Sequence, residues 1–412
     1  MKARIQKVLK YSLFFLVALF ITINLFIVLS GRFYMYKGIA HTYLIGKTGP
    51  TIYDLDVSPY ATIHSADVPS KSIKNEAFNQ FELPEKYRDL IADLETKAFL
   101  VLKNDTLIYE KYWGGHTAET VSNSFSVVKT LVAILIGVAI EDGDIKSIDD
   151  PVSLYLPEFI NKEKEQLTIR HLLEMASGLD WEESAKNPFS DNAESYYGSE
   201  LRRLVLGQSM KSTPGKVFKY QSGNSQLLGY ILESATGVDL SEYAEDKVWR
   251  KMGAEHDAYW SLDKTLGDEK AFCCMYATAR DYAKLGKLIL NKGRLNDEQI
   301  IPSWYFSEMV TPQQLTTREG IPNYRYGLHT WTYLDPEGKV NYCRGVNGQY
   351  VITIPSENIV IVRLGSKKKS LVTIPKNKLH DADYIEKVKF KVGHSSGLFE
   401  YISLGKLISS ER

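Results

Sequence analysis

Cysteine is scarce in this chain, with three in 412 residues. Cys273 and Cys274 are adjacent and Cys343 stands alone, with no C-x-x-C pair and no Cys/His spacing that would hold a metal. A disulfide framework and a metal centre are therefore not expected, and the three read as small buried residues. Charge of one sign is also missing, because 50 Lys and Arg balance 50 Asp and Glu. Nothing marks a nucleic-acid or acidic-surface partner, and Lys367-Lys368-Lys369 reads as a solvated turn. No H-E-x-x-H pair occurs. His171 lies in a helix start and reads as structural. No internal repeat is visible.

Long apolar runs are also few, and the one that stands out lies near the N-terminus. Tyr11 to Ser30 is nearly free of charge and follows Lys2, Arg4, Lys7 and Lys10. Twenty residues at about 1.5 Å each cover the roughly 30 Å hydrocarbon core of a bilayer. A cleaved signal peptide would have a shorter apolar region ending in small residues, whereas this run ends Ile27-Val28-Leu29-Ser30-Gly31-Arg32. Residues 1–31 are thus expected to be an uncleaved single-pass anchor. The basic N-terminus favours the cytoplasmic side and leaves the rest of the chain extracytoplasmic, periplasmic in a two-membrane cell, against a modest counterweight from Arg32, Lys37 and Lys47.

Residues 32–85 carry scattered Pro, Ser and charge without a period, and are expected to be a tether. The remainder, 86–400, reads as one domain. Phe99-Leu100-Val101-Leu102 and Leu107-Ile108-Tyr109 flank Asn104-Asp105, which is turn chemistry for a hairpin. Ser126 to Ile140 is almost wholly apolar and too short to span a membrane, so a central buried helix is expected. Residues from about 141 to 265 look helical, with a capped start at Leu167–Leu173 and a helix at Ser225–Ser234; another helix follows Ala279. Tyr350–Ile354 and Ile359–Val362 surround Pro355–Asn358 as a second hairpin. The pattern predicts an α+β fold, with an antiparallel sheet made by N- and C-terminal segments, flanking helices and a helical insertion.

The polar exception in the central helix is Lys129, three residues after Ser126. Residues three apart share a helix face, so a lysine amine can reach a serine hydroxyl. A hydroxyl is a poor nucleophile without such a base, and a lysine serves as base only when burial lowers its pKa. The spacing alone is weak, since Ser261-Lys264, Ser366-Lys369 and Ser403-Lys406 repeat it. Those three lie in polar or glycine-containing stretches; only Ser126-Lys129 opens a long apolar helix.

Ser126-x-x-Lys129, the segment Leu167-Thr168-Ile169-Arg170-His171-Leu172-Leu173-Glu174-Met175-Ala176-Ser177-Gly178-Leu179-Asp180, and Pro214-Gly215-Lys216-Val217-Phe218-Lys219-Tyr220-Gln221-Ser222-Gly223-Asn224 together resemble the class C β-lactamase-related serine hydrolases, in particular the 6-aminohexanoate-dimer hydrolase and esterase branch. The likeness runs from about 90 to 365. It implies a β-lactamase/D,D-peptidase-like fold and no cofactor or metal. By position it makes Ser126 the nucleophile, with Lys129 and Tyr220 transferring protons and the resting proton on either. Ser222 fills a slot that is Asn in β-lactamases. Gly345-Val346-Asn347-Gly348-Gln349 stands for the family's third element. There Gly348 would let substrate approach the strand, and the Gln349 amide would join that of Ser126 in an oxyanion hole. Trp181, Tyr196 and Tyr197 follow a segment that often walls the cleft, and Tyr326 and Trp331 read the same way.

One departure bears on substrate. Val346 stands where Lys or His is expected, so the charge that would hold a β-lactam or D-peptide carboxylate is missing, although Arg344 is near. Lys47-Thr48-Gly49 spells the family's triplet but precedes the nucleophile, and it is not expected to reach the site. The resemblance therefore implies a membrane-anchored hydrolase of a small ester or amide. A slowly acylating sensor module and a D,D-peptidase of cell-wall peptides are the alternatives.

Overall fold

The computed structural model describes residues 1–184, 186–295 and 298–411. Strand Thr96–Lys103 divides its side chains between two cores. Ala98, Leu100 and Leu102 enter one and Phe99 and Val101 the other, as a period of two requires. Ile359–Gly365 does likewise, with Val360, Val362 and Leu364 opposite Ile359 and Ile361. These strands pair antiparallel inside a seven-stranded sheet. Its order is Trp331–Asp335, Gly338–Gly345, Gln349–Ile354, Ile359–Gly365, Thr96–Lys103, Thr106–Tyr112 and Ile73–Lys74. Only the last pair is parallel. Both expected hairpins are present. Asn104 and Asp105 have φ of +48° and +62°, the left-handed pair that a tight hairpin turn requires.

The C-terminal helix Ser396–Ser410 covers one face with Leu398, Tyr401, Ile402, Leu404 and Ile408. Helices Ala279–Leu290, Val128–Asp142 and Ser222–Thr236 build the core over the other. The observed architecture is the expected α+β one, an antiparallel sheet from both ends of the chain with helices from its middle. Val128 to Ala139 are buried on every side, so this helix has no polar stripe and is fixed by packing. Each fully buried Leu or Ile there contributes roughly 1.5–3 kcal/mol.

Helix Lys2–Ser30 ends at Gly31, whose φ of +67° closes the last turn by hydrogen bonds to Ile27 O and Val28 O. It is long and apolar enough to cross a bilayer, and only 6% of its most apolar window is buried against protein.

Residues 32–85, whose packing the sequence left open, lie partly against the domain. Ile52, Ile63 and Phe81 are buried, Tyr60–Ile63 pairs with Ala258–Ser261, and Ile73–Lys74 extends the main sheet. Isolated apolar residues without a period left no sign of this in the sequence. Cys273 and Cys274 are buried as expected but joined by a disulfide within a turn where Cys274 has φ +68°. Cys343 is free and buried.

Candidate active site

Ser126 sits where an extended segment turns into the central helix. Phe125 takes φ +45°, a left-handed conformation that a bulky residue adopts only when its surroundings enforce it. Asn123 Oδ1 accepts from the Phe125 amide at 2.8 Å, and Met275 O accepts from the Ser124 amide at 2.8 Å. Phe125 and Val127 are buried, while Ser126 between them is partly exposed.

One turn further on, the Lys129 side chain is 1% exposed. Its Nζ donates to Ser126 Oγ at 3.2 Å, to Ser222 Oγ at 3.2 Å and to Phe272 O at 2.5 Å. Burial lowers the amine's pKa to about 8, against the opposing pull of Glu183. Tyr220 arrives just before helix Ser222–Thr236. Its ring stacks on Trp331 at 5.7 Å and meets Tyr326 edge-on at 6.0 Å, and the Lys129 ammonium lies 5.4 Å from its centroid. Burial pushes the Tyr220 hydroxyl well above its usual range, and its hydrogen bond with Ser126 works the other way. Burial thus acts in opposite directions on the two groups left open by the sequence, weakening the hold of Lys129 on its proton and strengthening that of Tyr220.

Ser222 opens its helix and joins the cluster to a residue that the sequence reading passed over. Glu183 Oε2 accepts from the Ser222 amide at 2.6 Å and Oε1 from the Ser222 hydroxyl at 2.7 Å. The Trp181 indole N–H donates to Glu183 Oε2 at 2.7 Å. Burial of the carboxylate pushes its pKa up, against Lys129 and the hydrogen bonds from Ser222 and Trp181. Glu182-Glu183-Ser184 looks like any solvated acidic turn, so only its place two residues after Trp181 hinted at a role. Trp181 itself is 2% exposed and orients Glu183.

The third element lies at the end of strand Gly338–Gly345. A Cβ on Gly345 would stand 2.3 Å from Ser124 O, so glycine lets this strand abut the turn that carries Ser126. Gly348, with φ +82°, faces Arg363 instead, whose Nη1 would lie 2.6 Å from an added Cβ. The buried Gln349 side chain donates to Val346 O at 2.8 Å and Gly365 O at 2.7 Å, and accepts from the Gly365 amide at 3.0 Å. The Arg363 guanidinium donates to Asn347 O, Gly348 O, Lys367 O and Leu94 O at 2.5–3.1 Å, fixing the same turn from below.

Beside Tyr220 lies a cavity of about 630 Å³ whose lining includes Trp181, Glu183, Arg318, Trp331 and Arg344. Arg344 lies 3.8 Å over the Trp331 ring and donates to Gly393 O at 2.9 Å. Tyr196 lies elsewhere, its hydroxyl 3.5 Å from Asn123 Nδ2. His171 caps its own helix with Thr168. The lysines of the other Ser-x-x-Lys segments are ion-paired: Lys264 with Glu200, Lys369 with Glu400, and Lys406 with Glu337 and Glu357. Lys47 pairs with Asp54, although Pro50 O accepts from Asn347 Nδ2 at 3.2 Å, so the segment after Lys47-Thr48-Gly49 reaches the edge of the site.

A part-exposed serine bonded to a buried lysine, on this sheet and helix arrangement, defines a serine hydrolase of amidase or esterase type. Comparison with known proteins makes the class specific: the profile of the Beta-lactamase family matches residues 88–384, and the chain belongs to that family. A 6-aminohexanoate-dimer hydrolase from Paenarthrobacter ureafaciens is 26% identical over 287 residues, 66% of this chain and 72% of that protein. A Bacillus anthracis protein provisionally named a 6-aminohexanoate-dimer hydrolase superposes with a TM-score of 0.69 at 22% identity, covering 82% of this chain and 92% of its own. A penicillin-binding protein from Bacillus halodurans gives a TM-score of 0.56 at 19% identity, with 74% and 99% covered.

Proposed function

We propose that this protein is a membrane-anchored hydrolase that cleaves an ester or amide through an acyl-enzyme on Ser126. The observation that carries the reading is the buried Lys129 amine 3.2 Å from the Ser126 hydroxyl. Its depressed pKa leaves a useful fraction of neutral amine near neutrality. Neutral Lys129 takes the Ser126 proton as Oγ attacks the carbonyl carbon. The oxyanion is held by the Ser126 amide and an amide of the 346–349 turn. The Gly345–Ser124 contact favours the Val346 amide ahead of the Gln349 amide for that second donor. Tyr220 gives its hydroxyl proton to the departing oxygen or nitrogen and regains one from the Lys129 ammonium. Water then attacks the acyl carbonyl as the same groups run in reverse, freeing the acid and Ser126. Ser222 anchors Lys129. The apolar helix Lys2–Ser30 holds the enzyme in a bilayer, with its basic start on the cytoplasmic side and the active site outside.

The test uses the full-length protein in detergent, with a p-nitrophenyl butyrate and an aminoacyl p-nitroanilide as substrates and intact-mass detection of a fluorophosphonate adduct. Wild type is expected to turn over and to gain one adduct, with both lost in Ser126→Ala. Lys129→Met should lose at least about 10²-fold in kcat/KM, the lower range for a general base. A folded wild type that neither reacts nor labels would overturn the reading.

A further inference from the structure

The loop that carries Glu183 into the catalytic cluster also rests on the outer end of the apolar helix. The Phe189 ring meets Phe26 edge-to-face at 5.6 Å. Phe189 O accepts from Arg32 Nη1 at 3.3 Å, and Pro188 O accepts from the Tyr34 hydroxyl at 2.9 Å. The following helix folds back as well, since the Tyr36 hydroxyl donates to Asn24 Oδ1 at 2.8 Å. If residues 11–30 fill the roughly 30 Å core, Phe26 and Asn24 lie about 6 and 9 Å inside its outer edge. Phe189 and the Tyr36 hydroxyl, in contact with them, then lie at or just inside the outer edge of that core. Phe33, Tyr36 and Phe189 are 57%, 40% and 47% exposed around the helix end, a ring of aromatic side chains whose burial in the apolar edge of a bilayer would be favourable.

The step from that ring to the catalytic cluster is short. The loop is closed on itself, with the Ser190 hydroxyl donating to Ser184 O at 2.7 Å and the Glu182 amide to Asp191 Oδ2 at 2.8 Å. Glu182, Glu183 and Ser184 line the cavity beside Tyr220. One wall of the cleft is thus the near side of the loop whose far side meets the anchor.

We propose that the cleft works at the bilayer surface and that its substrate is an amphiphilic ester or amide, its apolar part held in the membrane while its scissile carbonyl reaches Ser126. This rests on the hydrolase and anchor reading above. Membrane residence keeps the apolar chain in lipid, so the cleft need only accommodate the polar end. It also confines enzyme and substrate to one surface, which raises the effective concentration of one for the other.

The test reconstitutes the full chain in phosphatidylethanolamine/phosphatidylglycerol vesicles. It compares one fluorogenic alcohol esterified either with a C16 acid, dissolved in the bilayer, or with a C4 acid, free in solution. Phe33→Glu, Phe189→Glu and the double variant run beside wild type, with vesicle flotation confirming insertion. Wild type is expected to favour the bilayer ester at least tenfold in kcat/KM. The double variant should lose at least tenfold on that ester while keeping its rate on the C4 ester. Cleavage of the C4 ester alone, or equal loss on both esters in every variant, would overturn the inference. Absence of any Ser126-dependent turnover on either ester would instead sink the hydrolase reading beneath it.

Discussion

Glu183 holds Ser222 twice, accepting from its amide at 2.6 Å and from its hydroxyl at 2.7 Å. The same hydroxyl oxygen accepts from Lys129 at 3.2 Å, so the carboxylate reaches the lysine through one atom. In the proposed mechanism Lys129 takes the proton of Ser126, and the new ammonium then faces a short chain that ends in negative charge. In that mechanism Glu183 would be a positioning residue for the base, much as a carboxylate orients a histidine in the better-known triads.

Replacing Glu183 by Gln should therefore move the pH profile as well as lower the rate. Activity in wild type is expected to rise as neutral Lys129 appears, with a midpoint near the amine's pKa of about 8. Glu183 raises that pKa, so its removal shifts the midpoint of kcat/KM to lower pH, and kcat falls by roughly 10- to 100-fold, as when other supporting carboxylates are lost. A fall in rate with an unmoved midpoint would assign Glu183 a purely structural part.

Tyr220→Phe keeps the ring stacked on Trp331 and removes only the transferable proton. The expected loss in kcat is about 10²- to 10⁴-fold on an alkyl amide. It should be much smaller on a p-nitrophenyl ester, whose leaving group departs as an anion. Parallel kinetics on the two substrates check the assignment.

Arg344 offers the cleft a guanidinium stacked on Trp331. Changing it to Met should raise KM for a carboxylate-bearing substrate by about tenfold, worth roughly 1.4 kcal/mol of ground-state binding. KM for the neutral analogue should stay within about twofold. Equal effects on both would show that Arg344 only shapes the cleft.

Arg363 is a fully buried cation whose hydrogen bonds go to backbone carbonyls and Thr96. Arg363→Met leaves the carbonyls of Asn347, Gly348 and Lys367 without this donor, and Leu94 O with the Lys367 amide at 3.2 Å. The expected loss is roughly 2–4 kcal/mol in denaturant unfolding. Arg363→Lys should recover only part of it, because an ammonium cannot reproduce the fork.

Hairpins, central helix and the Ser126–Lys129 contact were legible because each has a local signature: alternation around Asn104-Asp105, an apolar run around one lysine, and a serine three residues before it. Glu183 was not, because its meaning comes from a contact with Ser222, 39 residues away, and an acidic pair in a polar loop looks solvated. Ile52 and Ile63 were hidden for a similar reason. A single apolar residue in an irregular segment carries no period, yet each is buried by parts of the chain far away in sequence. Gly348 drew notice as a glycine in a turn, whereas Gly345 makes the close approach, a difference set by which side of the strand end meets Ser124.

Pairing of Thr96–Lys103 with Ile359–Gly365 has a consequence for how the protein is made. The first of these strands leaves the ribosome more than 250 residues before its partner, or roughly 12–50 s at ordinary elongation rates. For that interval both its faces lack their final cover. A chain stopped before residue 359 cannot complete the sheet, and one stopped before Gly345 also lacks the strand end that abuts the Ser124 turn. The sheet can thus close only after residue 359 has been made, and until then the first strand waits without its partner on that side.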